Sequence, residues 1–256
     1  MVATRTLTIE PITRIEGHAR ITIQLDSAGQ VEDAKFHLTQ YRGFEKFCEG
    51  RPYREMPALT ARSCGICPVS HLVASSKACD QLLSVSIPPT AVKLRRLMNL
   101  AQIVQSHALS FFHLSAPDLL LGMESDPAQR NIFGLIGKYP AVARNGIRLR
   151  QFGQEVIRAT AGKRVHGTGS IPGGMNKHLG AADRRLLQAD LPQVLDWARQ
   201  AVAIVKQLHA AQPALYNGFA SFRAPMMSLV ANDGGMDLYD GVIRVRDAAG
   251  QIIVDG

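Results

Sequence analysis

In the stretch RSCGICPVSH, two thiols stand three residues apart, at Cys64 and Cys67, and an imidazole, His71, follows four residues after the second. The C-x-x-C spacing lets two thiolates converge on one ion, and a soft sulfur pair suits zinc, an iron–sulfur cluster or nickel. Pro68 fits the opening of a helix, which would set Cys67 at a helix N-terminus, where the macrodipole favours the thiolate that binds metal. His71 would then lie about one turn further on, within reach of a sulfur or a metal. Two other readings stay open on spacing alone. A redox dithiol of the thioredoxin kind wants a βαβ setting, and helical patterns dominate downstream of the pair. Two ordinary buried cysteines are the other. A zinc ribbon would need a second C-x-x-C, which the sequence lacks.

The remaining candidates are ionisable groups in short, distinctive stretches: Arg14, Glu16 and His18 in RIEGH, Glu45 in RGFE, and Asp118 in HLSAPDLL. For any one such carboxylate taken alone, a solvated or salt-bridged surface group is the ordinary reading. Cys48 and Cys79 have no spacing partner and are expected as buried apolar thiols. Trp197 sits at helical spacing and is expected in the core.

The elements that must position these groups can be read from periodicity. RTLTIEPI alternates, HARITIQLD alternates at Ala19, Ile21, Ile23 and Leu25, and VEDAKFHL returns after the turn SAG, so the first forty residues predict a small antiparallel sheet. Gly50, Pro52 and Pro57 break the next segment into short turns or helix. Helical spacing resumes after Pro68. Beyond IPPT a long helix is predicted from Ala91 to about Leu114, with Leu94, Leu97, Met98, Ala101, Val104, Ala108, Phe111 and Phe112 on one side, ended by SAPDLLLG. Further helices are expected at about 127–137, 140–161 and 181–210, the last with Pro192 inside it as a kink or break. VHGTGSIPGGMNKHLG is a glycine-rich loop that is neither a Walker motif nor a dinucleotide fingerprint. GVIRVRD, AAG and QIIVD predict a C-terminal hairpin. Because its second strand ends at the last residue, the hairpin reads as cut rather than finished.

The fold class predicted is therefore α+β: a sheet over residues 1–40, a core bundle of long helices over 41–215, and over 237–256 a hairpin belonging to a truncated second sheet. Hydrophobic residues make up 46% of the 256, enough for a sizeable core. No apolar run approaches the roughly 20 residues of a membrane span, and the N-terminus has no secretory h-region. A net charge of +8 would suit a nucleic-acid protein. The basic residues are scattered, however, and come with no nucleic-acid-binding signature, so a basic surface meeting an acidic partner or water is preferred. Four cysteines without a signal sequence point to reduced thiols and metal chemistry rather than a disulfide framework.

PITRIEGHARI, then RGFE, then RSCGICPVSH resemble, in order and spacing, the large subunit of nickel–iron hydrogenases. RGFEKFCEGRPYREMPALTARSCGICPVSH is similar to the cytoplasmic, cofactor-reducing branch, and DLYDGVIRVRD to its soluble NAD-reducing members. The resemblance covers the whole sequence and implies an enzyme that oxidises or evolves H2, coupled to NAD+. It implies a nickel–iron centre with diatomic ligands on iron, and a magnesium ion. By motif position, Cys64 is a terminal nickel ligand, Cys67 bridges nickel and iron, and His71 hydrogen-bonds the bridging sulfur. Glu16 relays protons, Glu45 binds magnesium, and Asp118 is a carboxylate above the metals whose arginine partner lies outside this sequence. Ser63 stands where many relatives carry isoleucine, a change toward altered hydration or gas access beside Cys64. The family's second cysteine pair, in D-P-C-x-x-C-x-x-H, is missing here. Two alternatives follow from that: an inactive, truncated metal-binding subunit, or a zinc-binding interaction module. The expected partners are an iron–sulfur small subunit, because beyond Cys64 and Cys67 only two isolated thiols remain and cannot hold clusters, and diaphorase subunits that reduce NAD+. No nucleic acid and no membrane span are expected, and the compartment implied is the cytoplasm.

Overall fold

The computed structural model describes residues 5–256. It opens with strands β1 (Arg5–Ile9), β2 (Ala19–Leu25) and β3 (Val31–Leu38), which pair antiparallel with β2 in the middle. Register sets Leu7 against Ile23, Ile9 against Ile21, and Ile21 against Phe36, so the alternation puts the apolar side chains on one face. Two short helices follow, α1 (Phe44–Cys48) and α2 (Met56–Thr60), and then α3 (Pro68–Leu82) and α4 (Pro89–Leu109). Pro57, Pro68 and Pro89 each fall in a first helical turn, where a missing N–H costs nothing.

The long helix does not stop at Leu114 as its pattern predicts. It widens into a π turn over Ser110–Ser115 and continues as α5 (Ala116–Leu121), ending at Gly122 with φ +95°. Pro117 has no N–H to return to the helix upstream, and the wider turn absorbs that mismatch. The helix expected at 127–137 begins only at Ile132 (α6, Ile132–Lys138), because Asn131 caps it: its Oδ1 accepts from Phe133 N at 2.9 Å and Gly134 N at 3.1 Å. Next come α7 (Pro140–Ala161), a two-stranded ribbon β4 (Ser170–Ile171) and β5 (Gly174–Met175) inside the glycine-rich loop, α8 (Ala181–Ala211) and α9 (Pro213–Gly218). Helix α8 runs unbroken through the exposed Pro192, where the unpaired carbonyl one turn back can face water. The predicted hairpin is present as β7 (Val242–Arg246) and β8 (Ile252–Asp255). An unanticipated strand, β6 (Met226–Val230), pairs antiparallel with β7 and makes a three-stranded sheet.

The core lies where α3, α4 and α7 meet, around Leu72, Met98, Ala101, Val156 and Ile157. Helices α4 and α7 approach closely through glycine. A Cβ on Gly153 would lie 2.7 Å from Ala101 O and 2.8 Å from Gln105 Cβ, and one on Gly146 would strike the Phe112 ring. A second cluster holds Ala108, Phe112, Leu149 and Val194, with Trp197 packed against it as expected. Outside this centre, large apolar side chains stay exposed, among them Phe36 and Leu38 on β3 and Leu186, Leu195 and Val202 on α8. No described helix is long and apolar enough to cross a membrane.

A buried ion pair ties the ribbon to the helices. Arg95 of α4 is 0% exposed; its Nη1 donates to Asp80 Oδ2 at 2.6 Å and its Nη2 to the carbonyl oxygens of Ile171 and Gly174 at 2.7 and 3.1 Å. Asp80 Oδ1 accepts from Gly173 N at 2.7 Å, so the pair pins the β4–β5 ribbon onto α3 and α4. Arg95→Met alone should destabilise the protein by about 3–5 kcal/mol, because it strands a buried carboxylate. Chemical denaturation checks this. The double change Arg95→Met with Asp80→Leu should recover part of the loss, and no recovery would assign the effect to the ribbon contacts instead.

Candidate metal centre

The loop Cys64–Cys67 leads directly into α3, with Cys67 as the N-cap residue and Pro68 next. This is the arrangement the spacing predicts, and it aims both thiols at one point. Cys67 N donates to Cys64 Sγ at 3.1 Å, and His71 Nε2 lies 3.6 Å from Cys67 Sγ. One ligand atom from each of Cys64, Cys67 and His71 falls within 4.8 Å of the others, and all three residues are half-buried. All four cysteines are free.

Burial pushes the Cys67 thiol up to about 12, helped by the hydrogen bond and charge of Cys64 and by the Glu16 carboxylate. Two thiols and a carboxylate facing one another without a cation repel a second negative charge. A divalent cation between the sulfurs reverses that sign and makes the deprotonated form the stable one. The donor set therefore fits a soft metal ion, with two sulfurs as ligands and an imidazole at hydrogen-bonding range of one of them. Cys79, in contrast, is buried with its Sγ 3.4 Å from Tyr53 O. Cys48 is half-buried rather than buried.

The RIEGH segment, between β1 and β2, brings the carboxylate. Arg14 at φ +66° and Gly17 at φ +86° coil it tightly. A Cβ on Gly17 would come within 2.7 Å of Gln40 Oε1, so the turn needs glycine on both counts. Glu16, exposed between these two, is close enough to act on Cys67. Asp118 has two arginine partners within this chain. Arg14 Nε donates to Asp118 Oδ2 at 2.9 Å, and Arg130 Nε lies 3.1 Å from Oδ1. Arg14 also donates to the Arg130 carbonyl oxygen. The three line a cavity of about 490 Å³ together with Met123, Tyr216 and Phe219. Glu45 stands exposed in the first turn of α1, outside the Cys64–Cys67–His71 group. His18 is exposed and Ser63 is exposed beside Cys64, its Oγ donating to Thr60 O at 2.7 Å.

Two buried residues that the sequence pattern did not single out belong to this site. Gln102 and Gln105 of α4 both donate to Ile66 O, at 2.8 and 2.6 Å. Their i, i+3 spacing on one face of α4 was the available signal.

A helix-capping dithiol with a histidine beside one sulfur and a carboxylate loop close by is a donor set that could hold a metal ion, on an α+β fold. Residues 42–129 match the nickel-dependent hydrogenase family and residues 6–41 a HoxL-like family. The chain is 42% identical over 255 residues to the beta chain of the NAD-reducing hydrogenase HoxS of Cupriavidus necator, covering 95% of this chain and 52% of that protein. It is also 42% identical over 245 residues to the vhu F420-non-reducing hydrogenase of Methanocaldococcus jannaschii, covering 96% and 58%. A crystal structure of an NAD+-reducing [NiFe]-hydrogenase in the H2-reduced state matches 99% of this chain and 56% of its own, at a TM-score of 0.94 and 52% identity. The Ni-Fe-Se hydrogenase of D. vulgaris Hildenborough in the as-isolated oxidised state matches at a TM-score of 0.81 and 25% identity, over 99% and 55%. The chain is similar to nickel–iron hydrogenases over nearly its whole length, and it spans a little over half the length of these relatives.

Proposed function

We propose that this chain forms part of the large, catalytic subunit of a nickel–iron hydrogenase that interconverts H2 with protons and electrons and is coupled to NAD+ reduction. The convergence of Cys64, Cys67 and His71 at the start of α3 carries the reading. Its likeness to an NAD-reducing enzyme supports the acceptor. Cys64 and Cys67 would hold the nickel and iron, with its diatomic ligands, through their sulfurs. When bound, the metals supply the Lewis acidity that makes H2, a very weak acid, able to give up a proton. His71 holds a hydrogen bond to Cys67 Sγ and draws charge from that sulfur. Glu16 takes the released proton on its carboxylate and passes it toward solvent, to which it is exposed. Asp118, fixed by Arg14 and Arg130, keeps a negative oxygen in a polar corner beside the cavity. Glu45 offers a carboxylate to a magnesium ion.

Two sulfurs fill only part of the coordination of nickel, and the other thiols here, Cys48 and Cys79, have no part in the cluster. Electrons leave through an iron–sulfur small subunit, then reach NAD+ on diaphorase subunits, in the cytoplasm. Metal analysis of the protein in its native assembly, with NAD+ reduction under H2, tests this. Nickel and iron with hydrogen-dependent NADH formation are expected. Stoichiometric zinc and no hydrogen-dependent activity would mark a zinc-binding module, and nickel without turnover an inactive subunit.

A further inference from the structure

The peptide between Ile66 and Cys67 is gripped at both ends. Its N–H points at Cys64 Sγ, 3.1 Å away. Its carbonyl oxygen accepts from two side-chain amides, Gln102 Nε2 at 2.8 Å and Gln105 Nε2 at 2.6 Å, which uses both of its lone pairs. Both glutamines are almost fully buried, at 2% and 3% exposure, in a helix whose neighbouring positions are apolar core. Burying two primary amides is costly, and although Gln102 Oε1 has no partner among the described residues, both amide nitrogens meet at a single acceptor in the C-x-x-C loop, far from them in sequence. Helix α7 holds them there, since Gly153 packs against the backbone of α4 at Ala101 and Gln105.

We propose that Gln102 and Gln105 are positioning residues that lock the Ile66–Cys67 peptide and so set the N–H···S bond on Cys64. The proposal rests on the reading of Cys64 and Cys67 as metal ligands and deepens it. Two donors on a peptide oxygen orient the peptide plane and polarise its N–H, because hydrogen bonds in series strengthen one another. The N–H then draws charge from the Cys64 sulfur in the way donors to thiolates tune metal sites. With the plane free to rotate, the N–H would leave the sulfur and the two thiols would no longer be held at a fixed separation.

The test uses the full chain with cysteine labelled by nitrogen-15, which gives four backbone amide signals, from Cys48, Cys64, Cys67 and Cys79. Methionine replaces glutamine at nearly constant shape, so Gln102→Met and Gln105→Met remove one donor each and leave Ile66 O one partner. In the double variant, exchange of the Cys67 amide with solvent should rise by about tenfold or more, and its signal should shift. Each single variant should give a smaller change of the same sign, which keeps the test alive if the double variant fails to fold. Cys48 and Cys79 should stay in place. Asn99→Leu serves as a control: Asn99 is a buried amide on the same helix that donates to Leu238 O at 2.9 Å, so its loss should lower stability without moving Cys67. An unmoved Cys67 signal in the glutamine variants, or the same shift in Asn99→Leu, would overturn the proposal. Adding nickel(II) alone to the unsubstituted chain tests the underlying reading separately. That reading requires the Cys64 and Cys67 signals to change while Cys48 and Cys79 do not.

Discussion

Cys64→Ser and Cys67→Ser should each reduce nickel and iron in the isolated assembly to background. Serine keeps the shape of cysteine but remains a neutral alcohol at physiological pH, whereas a thiol near 8.5 in its free form is readily converted to a metal-bound thiolate. The effect is large because the two sulfurs act as one chelate, and removing either leaves a single thiolate of this chain at the site. The surrounding fold should survive, since both residues are only half-buried and the core of α3 lies at Leu72 and Val73. Elemental analysis with a thermal melt checks both halves, and normal metal content in either variant would remove the assignment. The same chemistry fixes a pH dependence. Cys67 without metal is pushed up to about 12, so at neutral pH it carries its proton and must release it on binding. Nickel uptake should therefore liberate protons and strengthen as pH rises.

Glu16→Gln should lower hydrogen-dependent turnover by about 10²- to 10⁴-fold, the range a positioned proton-transfer group commands. Glutamine matches the carboxylate in shape and still accepts a hydrogen bond, but it cannot take up and release a proton. Metal content should stay normal, because Glu16 lies outside the thiol–imidazole cluster. Its placement depends on backbone geometry set by Arg14 and Gly17, which the substitution leaves untouched. Dye reduction under H2, measured on metal-replete protein, separates the cases. Full turnover in Glu16→Gln would send the proton by another route.

The parts of this molecule that could be read from sequence are those whose signal is local. The alternation in β1, β2 and β3 needs only period two, and α4 and α7 need only a repeated apolar face. The C-x-x-C pair and Pro68 declare the thiol loop and its helix within eight residues of one another, His71 included. What escaped was decided by distant partners. Strand β6 exists because β7 lies alongside it, and MMSLV carries no alternation that would announce it. Arg14 and Asp118 are 104 residues apart, and Arg14 takes a left-handed conformation at a non-glycine residue, neither of which a pattern signals. Gln102 and Gln105 read as polar interruptions of an apolar helix until the carbonyl of Ile66 arrives beside them. At Ser110–Ser115 the helical pattern was right, but the π turn by which the helix accommodates Pro117 was not in the pattern.

The central claim is that this chain helps split H2 at a metal centre held by Cys64 and Cys67. Isotope exchange tests it most directly, because the exchange needs no electron acceptor and so does not depend on which partner subunit receives the electrons. Protein in its native assembly, verified to contain nickel and iron, is placed under D2 in ordinary water and the gas is followed by mass spectrometry. The account predicts that HD and then H2 appear with the unsubstituted chain and do not appear with Cys67→Ser. A metal-replete assembly that leaves D2 unchanged, or exchange that persists undiminished in Cys67→Ser, would contradict it.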